Sequence, residues 1–307
     1  MSLSERKIWR NGRVIPWADA TVHVLGQSIQ RGTLVFDVMP IYWVKRGPVI
    51  LGLDEHTERF VQSMQLAGMT PPYGVGELRA GIREAVHANP GAELVKISGY
   101  YPGVSLDVLP VDPKPEVAIA AFAIGDIVPG GQRANARGPA KLEIAAATKM
   151  PKTVLSPQVK IAAGYTHAAF AKQHARANGF HDVLFLDADG SLTESSTQSF
   201  FLVADGVLHT AGLDAVLDGI TRRLTIELAR DEGVEVKEGR MPRELLTRAR
   251  EAFLTGTTTN VWPIAQIDAL ELPKPVPGPV SAKLIARFDA LCADDDPVFS
   301  KRWLQAV

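Results

Sequence analysis

Apolar residues along the first 126 positions occur partly in short runs and partly at helical spacing. Short apolar runs flanked by Gly, Pro and charged residues predict β-strands. Between residues 54 and 68, Phe60, Val61 and Met64 recur at the spacing of an amphipathic helix. We therefore predict an α+β domain over residues 1–126. Its predicted strands are 22–25, 34–38, 41–44, 49–51, 94–104 and 117–124, and its predicted helices are 54–68 and 75–88.

The pattern breaks at residues 127–139, which are rich in Gly, Pro and polar residues and predict an interdomain linker. Beyond this break, apolar runs and helical periodicities interleave, so residues 140–307 predict a larger α/β domain. Its predicted strands are 142–147, 183–186, 199–203, 234–236 and 251–255, and its predicted helices are 163–178, 220–232, 242–248 and 281–292.

Composition narrows the class of protein. The length of 307 residues suits two domains, and a hydrophobic fraction of 46% can fill two cores. Lys plus Arg number 33 and Asp plus Glu 34, so the net charge of −1 gives no reason to expect nucleic acid or an anionic membrane as a partner. The single cysteine, Cys292, excludes an internal disulfide. With no apolar leader and no long apolar stretch, we expect a cytoplasmic protein.

Three residues of the second half carry the chemistry. Lys160 lies among small apolar neighbours, a setting that favours a neutral, nucleophilic amine. Tyr165 follows five residues later, and Glu194 follows a turn at Asp189-Gly190. A lysine for a Schiff base, a tyrosine for a phenolate oxygen and a carboxylate for a pyridine nitrogen are the groups that a pyridoxal phosphate enzyme needs. Each residue alone is ordinary, and the hypothesis rests on the set.

Two further segments offer hydrogen-bond donors to a phosphate. A helix predicted from Ile220 would direct its first N–H groups, with the Thr221 hydroxyl, at an anion. The turn at residues 256–260 is rich in hydroxyl groups and follows a predicted strand. On the first long helix, Arg59 could add a charged donor. The histidines show no spacing typical of a metal site, and we predict no metal.

At these motifs the chain resembles the class IV aminotransferases, the fold-type IV pyridoxal phosphate enzymes, and most closely their branched-chain branch. The resemblance extends from about residue 11 to 288. It rests on five motifs in order: Gly-Thr-Leu-Val-Phe-Asp-Val at 32–38, His-Thr-Glu-Arg-Phe at 56–60, Asp-Gly-Ser-Leu-Thr-Glu-Ser-Ser at 189–196, Leu-Asp-Gly-Ile-Thr-Arg at 217–222 and Leu-Thr-Gly-Thr-Thr at 254–258.

The resemblance implies a homodimer with pyridoxal 5'-phosphate between a smaller N-terminal and a larger C-terminal domain. It implies an amino donor and a 2-keto acid acceptor as substrates, and Lys160 as the catalytic residue. The implied cofactor-binding residues are Arg59, Lys160, Tyr165, Glu194, Leu217, Gly219, Ile220, Thr221, Gly256 and Thr257.

The residues expected to face the substrate depart from the branched-chain pattern. Arg31 stands where that branch usually has tyrosine, Pro40 where it has arginine, and Ser199 where asparagine is common. An alignment of the later strand places Val95 and Ile97 at two further substrate positions, usually tyrosine and arginine. The predicted substrate residues are Arg31, Phe36, Val38 and Thr258, with Trp262 as a further pocket wall.

These departures keep several activities open. The leading hypothesis is transamination of a hydrophobic, branched-chain-like amino acid. An (R)-amine or D-amino acid transaminase is a second hypothesis, because the arginine and tyrosine expected at Pro40 and Arg31 are missing. Aminodeoxychorismate lyase, which eliminates pyruvate, is a third. A non-catalytic binding protein is a fourth, but retention of Lys160 with its partners argues against it.

Overall fold

The computed structural model describes residues 2–128, 131, 135 and 138–307. The chain divides into two compact units, each described by itself below. The first unit comprises Met1–Gln132, Val159–Ala163 and Leu291–Val307, and the second comprises Arg133–Gln158 and Gly164–Ala290. Seven residues of the predicted linker, 129–130, 132–134 and 136–137, lie outside the described residues.

The first unit therefore differs from the contiguous range predicted for it. Two segments expected in the C-terminal domain pack with the first unit, because both add backbone hydrogen bonds to its sheet. Residues 304–306 pair with 49–51, and Ile161 bridges to Val35.

A seven-stranded antiparallel sheet forms the centre of the first unit, in the order β16-β4-β3-β5-β6-β1-β2. The predicted strands 34–38 and 41–44 are parts of one ten-residue strand, β3. The bounds are β1 Lys7–Arg10, β2 Arg13–Pro16, β3 Val35–Val44, β4 Gly47–Leu51, β5 Leu94–Tyr100, β6 Glu116–Phe122 and β16 Leu304–Ala306.

Helices α2 and α3 pack on this sheet through the apolar faces that the sequence predicts. Phe60 and Met64 of α2 are buried, and a Cβ at Gly99 of β5 would lie 3.0 Å from Met64 Sδ. The predicted strand at 22–25 is wrong, because this segment forms no strand and leads into a short helix instead. The helices of the first unit are α1 Gln27–Arg31, α2 Leu53–Leu66, α3 Val75–His87, α4 Ile124–Ile127 and α8 Phe299–Trp303.

The second unit is built on a nine-stranded mixed sheet, in the order β12-β11-β10-β13-β14-β7-β8-β9, with β15 paired to β14. Pairs β11–β12, β14–β7 and β7–β8 are parallel and the others antiparallel. The bounds are β7 Ala140–Ile144, β8 Asp182–Leu186, β9 Leu192–Ser195, β10 Ser199–Ala204, β11 Val207–Ala211, β12 Glu235–Gly239, β13 Ala249–Gly256, β14 Asn260–Ile267 and β15 Leu270–Glu271.

Strand β9 closes six of these strands into a ring. It pairs with β8 on one side, and on the other Glu194 pairs with Ser199 at the start of β10. A buried cluster that includes Phe200, Leu254 and Ile264 packs together in this unit. Its helices are α5 Thr166–Ala177 and α6 Ile220–Asp231, and α7 Pro279–Cys292 ends in the first unit.

Among the described residues, no helix combines the length and apolar character that a membrane span requires. Within the same residues, no cluster of three or more His, Cys, Asp or Glu side chains has the arrangement of a metal site.

Candidate active site

Lys160 lies in a short extended segment that pairs with the beginning of β3. The Phe36 N–H donates to the Lys160 carbonyl at 3.0 Å, and the Ala162 N–H donates to the Leu34 carbonyl at 2.8 Å. The Lys160 N–H donates to Ser63 Oγ of α2 at 3.1 Å. Strand and helix together therefore fix the backbone from which the lysine side chain extends.

The Phe36 ring lies beside two amines. Nζ of Lys160 is 5.0 Å from the ring centroid, and Nζ of Lys96 is 4.9 Å from it. Partial burial lowers the pKa of Lys96, and the positive charge of Lys160 lowers it further. Two amines beside one aromatic ring make this part of the sheet a suitable place for an anionic group.

The register of β3 and β5 decides which residues share the Phe36 side of the sheet. Val38 pairs with Lys96, and adjacent residues of a strand point to opposite faces. Val95 and Ile97 are fully buried and therefore lie on the opposite face from Lys96. Both side chains therefore point into the core, on the face of the sheet opposite Phe36 and Val38.

Arg59, Asp37 and His56 form a buried charged cluster between α2 and β3. Arg59 binds both carboxylate oxygens of Asp37, with Nε 2.8 Å from Oδ2 and Nη2 2.8 Å from Oδ1. Nδ1 of His56 lies 2.8 Å from Asp37 Oδ1. A bidentate pair fixes the plane of the guanidinium group, so Asp37 sets the orientation of Arg59.

The electrostatics of the cluster follow from its burial. Burial raises the pKa of Asp37, but the contacts with Arg59 and His56 outweigh it and hold this pKa far below its usual range. Burial lowers the pKa of His56 below 6.5, against the opposing effect of Asp37. Near neutral pH the cluster is therefore a carboxylate paired with Arg59 and a neutral imidazole that donates from Nδ1.

Arg31 ends α1 and is exposed. Its Nη2 donates to the Leu106 carbonyl at 2.9 Å and its Nη1 to the Gln30 carbonyl at 3.3 Å. The guanidinium group thus braces the segment that contains Leu106.

In the second unit, Glu194 lies at the strand pair that closes the ring. It pairs with Ser199 in the ladder, and its carboxylate forms an ion pair with Lys149. Both side chains are largely shielded from solvent, with exposed fractions of 17% for Glu194 and 12% for Lys149.

The N terminus of α6 lies beside the start of β10. Gly219 is the N-cap and has no side chain to accept the first N–H groups of the helix, so they are available to an anion. A Cβ at Gly219 would lie 3.0 Å from Ser199 Oγ, and one at Gly256 would lie 3.0 Å from Gln198 Cγ. Glycine therefore permits a close approach of these loops to β10 and its preceding turn.

Three buried polar atoms near these loops have no hydrogen-bond partner among the described residues: Gln198 Oε1, Thr255 Oγ1 and Thr259 Oγ1. A buried polar atom without a partner costs about 1–3 kcal/mol. The Thr255 and Thr259 hydroxyls can each donate to a phosphate oxygen, so these two donors fit a phosphate ester, whereas Gln198 Oε1 can only accept. Thr257 and Thr258 follow Gly256 in the turn, the first partly buried and the second exposed.

The remaining predicted residues of the second unit lie at its loops and helix ends. Tyr165 is the N-cap of α5. Leu217 belongs to a loop that Gln158 holds through its side-chain amide, which donates to the Val216 carbonyl at 2.7 Å. Trp262, expected as a pocket wall, is instead 3% exposed in the core of this unit, and its Nε1 donates to the Gly138 carbonyl.

Sequence reasoning missed Lys96, Lys149 and Asp37. Alternation in β5, where Lys96 and Ser98 separate the buried Val95, Ile97 and Gly99, was the available signal for Lys96. Nothing local in the sequence indicates that Lys149 meets Glu194, since 45 residues separate them.

Comparison with known proteins finds relatives that match the chain over most of its length. A branched-chain-amino-acid aminotransferase of Pseudomonas aeruginosa is 31% identical over 287 residues, which cover 92% of each chain. The enzyme of the same name from Escherichia coli K12 is 29% identical over the same share of both chains.

Solved structures of branched-chain aminotransferases are also similar to the chain. The branched-chain amino acid aminotransferase of Thermobaculum terrenum, in its PLP-bound holo form, superposes with a TM-score of 0.88 at 30% identity over 99% of each chain. The branched-chain aminotransferase of Thermoproteus uzoniensis with norvaline gives 0.88 at 28% identity over 98% of each. The predicted fold-type IV architecture with two domains is thereby confirmed.

A sequence profile of the amino-transferase class IV family matches residues 34–267, a span that contains every cofactor-binding residue predicted from the sequence. The predicted family is confirmed: the chain belongs to the class IV aminotransferases.

Proposed function

We propose that the chain is a pyridoxal 5'-phosphate-dependent transaminase that moves an amino group from a branched-chain or similar hydrophobic amino acid to a 2-keto acid, with Lys160 binding the cofactor. The observation that carries the proposal is Lys160 itself, held by β3 and α2 beside Phe36. Relatives that match 92% of the chain are named branched-chain aminotransferases, and one related structure holds pyridoxamine 5'-phosphate.

When bound, pyridoxal 5'-phosphate supplies an aldehyde that accepts the amino group and a ring that withdraws electrons from the substrate Cα. The start of α6, with no capping side chain, and the unpartnered hydroxyls at Thr255 and Thr259 suit its phosphate. The proposed phosphate-binding residues are Arg59, Gly219, Ile220, Thr221, Gly256 and Thr257.

Three residues are proposed to act on the rest of the cofactor. The Tyr165 hydroxyl would donate to the phenolate oxygen, and the Glu194 carboxylate would accept a hydrogen bond from the protonated pyridine nitrogen and keep it protonated. Leu217 packs against one face of the ring. The amine of Lys160 is the proposed general base, which would take and hold the proton of the substrate Cα.

On the substrate side, Phe36 and Val38 are proposed to contact the hydrophobic side chain. Arg31, Thr258 and the Gly256 backbone are the proposed contacts of the substrate carboxylate, and we add Lys96 because its amine lies beside the same Phe36 ring as Lys160. A charged amine there favours a substrate that carries a carboxylate over an amine substrate that lacks one.

The absorbance spectrum of the purified, cofactor-loaded protein tests the proposal. We expect a visible band that disappears when L-leucine is added and returns with a 2-keto acid. Lys160→Ala should show neither the band nor turnover. If the wild-type protein forms no visible band with added pyridoxal 5'-phosphate, the proposal fails.

Two other amino donors and one product distinguish the proposed activity from the two alternatives, a transaminase of the opposite stereochemistry and a lyase. Bleaching by D-alanine or (R)-1-phenylethylamine, but not by L-leucine, would favour a transaminase of the opposite stereochemistry. Pyruvate formed without exchange of an amino group would favour a lyase.

We further propose that the protein acts as a homodimer. Two segments of the first unit, 22–29 and 104–111, form an exposed apolar surface on which Val24 is 66%, Leu106 91% and Val111 82% exposed. Hydrogen bonds from Arg31 and Gln27 to carbonyls of the second segment hold the surface in shape. An apolar patch of this kind is typical of a protein–protein interface.

Sedimentation velocity tests the dimer. Leu106→Asp with Val111→Asp should shift the protein toward monomer, because both changes place charge in the apolar surface. Val298→Asp is the matched control, since Val298 is 73% exposed elsewhere on the first unit. Wild-type protein that sediments as a monomer would refute the proposal.

A further inference from the structure

Lys149 is a charged residue beside Glu194 for which the proposed function assigns no role. We propose that Lys149 is a positioning residue that holds the Glu194 carboxylate in the orientation needed at the cofactor's ring nitrogen. The inference rests on the proposed function and extends it to a residue outside the cofactor contacts.

The ion pair itself is the first observation. Nζ of Lys149 binds Oε1 of Glu194, and the two side chains are 12% and 17% exposed. A neighbouring pair on the same loop, Lys152 with Asp214, is 61% and 75% exposed at 3.2 Å. Exposed pairs are mobile and screened by water, whereas a shielded pair restricts both partners.

Backbone contacts hold both partners against one strand. The Lys149 N–H donates to the Leu186 carbonyl of β8 at 2.8 Å. Leu186 pairs with Leu192 of β9, the strand that carries Glu194. The lysine and the carboxylate are thus fixed relative to each other through β8, so their contact does not depend on a mobile loop.

The backbone after Glu194 is fixed by a second, separate network. Lys172 Nζ lies 2.5 Å from Asp182 Oδ2 and 3.2 Å from Ser196 Oγ, and the Ser196 N–H donates to Asp182 Oδ1 at 3.4 Å. Asp182 is fully buried. With the backbone set on this side, rotation of the Glu194 side chain is the main freedom left, and Lys149 restricts it.

His167 lies close enough to the pair to respond to its charges. Burial lowers the pKa of His167, Lys149 lowers it further, and Glu194 opposes both. The imidazole packs against Phe185 with ring centroids 5.1 Å apart. A neutral imidazole leaves the charge of Glu194 to be balanced by Lys149.

The consequence for the reaction is one of preorganisation. A carboxylate held through Oε1 presents Oε2 in a restricted set of directions, so less rotational freedom is lost when the ring nitrogen binds. Residues that orient the ligands of a metal site change affinity or activity by roughly 10–100-fold when removed, and we expect an effect of similar kind at the ring nitrogen.

The experiment compares Lys149→Met, Lys149→Arg and the control Lys152→Met in the full-length protein. Three quantities are measured: the dissociation constant of pyridoxal 5'-phosphate, the ¹⁵N resonance of the ring nitrogen in labelled cofactor, and kcat with KM for L-leucine. The thermal midpoint of each cofactor-free variant reports on folding.

We expect Lys149→Met to weaken cofactor binding by roughly tenfold and to reduce kcat with little change in KM. Its ¹⁵N resonance should move toward the unprotonated position, because a disordered carboxylate holds the proton less well. Lys149→Arg should keep most of the wild-type cofactor affinity and kcat, since a guanidinium group also binds a carboxylate. Lys152→Met should match the wild type.

Two outcomes would overturn the inference. Unchanged affinity and ¹⁵N resonance in Lys149→Met would show that the lysine does not position Glu194. Tighter binding with a more protonated nitrogen would show that Lys149 competes with the ring for the carboxylate. Either result leaves the proposed function intact, whereas wild-type protein that binds no cofactor would refute the proposed function instead.

Discussion

At the scale of single residues, Asp37 shows how a charged group is tolerated inside the first unit. Its side chain is fully buried, yet two contacts from Arg59 and one from His56 satisfy its oxygens. A buried carboxylate is stable only when paired and hydrogen-bonded in this way. The same contacts orient Arg59, which links stability at this position to the proposed phosphate site.

Asp37→Asn should destabilise the protein strongly, because it leaves the buried Arg59 without a counter-charge. Removing one partner of a buried pair costs about 3–5 kcal/mol. Urea unfolding followed by circular dichroism measures the change. Asp189→Asn is the matched control, since the Asp189–Arg240 pair is exposed, and its unfolding midpoint should stay near that of the wild type. Equal losses in the two variants would contradict this account.

His56 should make the protein less stable in mild acid. Its pKa is lowered on folding, so the folded state binds fewer protons than the unfolded state, and stability falls as the pH drops below 6.5. Asp37, whose pKa is also lowered, adds a further loss below about pH 4. Both groups therefore lower the stability of the protein in acid, and neither loss of stability is expected at neutral pH.

Unfolding free energies at pH 7.5, 6.5, 5.5 and 5.0 test this sign. His56→Gln, which keeps an N–H donor but does not titrate, should reduce the loss of stability between pH 7.5 and 5.0. His167 and His209 also have lowered pKa values, so part of the pH dependence of the unfolding free energy should remain in this variant. An identical slope in His56→Gln and wild type would exclude His56 as a source.

At the scale of elements, helix α3 packs on the sheet through a glycine. A Cβ at Gly81 would lie 2.7 Å from Cε2 of Trp9, so the indole of β1 rests directly on the helix backbone. Trp9 is 4% exposed and forms an edge-to-face contact with Tyr73. The close approach of α3 to β1 thus depends on the absence of a side chain at this position.

Gly81→Ala should therefore lower the thermal midpoint even though alanine favours helix. Gly76→Ala, in the same helix but with nothing within 4 Å of its added Cβ, should stabilise by up to about 1 kcal/mol. Differential scanning calorimetry measures both variants. The prediction fails if the two substitutions shift the midpoint in the same direction.

Helices with a clear amphipathic period could be predicted from the sequence, whereas short strands that form by pairing with other strands could not. The helix predicted at 54–68 is found at Leu53–Leu66, and that at 220–232 is found at Ile220–Asp231. The strand Leu304–Ala306 was missed, because it is short and exists through a partner distant in the chain. The strand Lys7–Arg10 was also missed, although it forms a hairpin with Arg13–Pro16 and the Asn11-Gly12 turn between them is a local signal. Strand 22–25 was predicted from apolar content alone and does not form, because no neighbouring strand pairs with it.

At the scale of the whole molecule, the chain leaves the first unit and returns to it at its C-terminal end. Residues 304–306 complete the sheet beside β4, and Trp303, 1% exposed, is among the largest fully buried side chains. The first unit is therefore completed only when the last residues of the sequence are in place.

Trp303→Ala should loosen the first unit selectively. Loss of a buried large aromatic side chain costs about 3–5 kcal/mol, and hydrogen exchange should accelerate in peptides of β4 and β16. Phe288→Ala is the matched control, because Phe288 is fully buried in the second unit. Its effect should appear in peptides of that unit. Uniform acceleration over both units in either variant would contradict this division.

The sequence by itself determined the family, the cofactor-binding residues proposed for it and the amphipathic helices. Motifs and helical periods are local, and each can be read within a few turns of chain. Tertiary structure alone decided that Lys96 shares a face with Val38, that Glu194 meets Lys149, and that residues 159–163 and 291–307 join the first unit. These features depend on strand register and on contacts across tens or hundreds of residues, which no local pattern encodes.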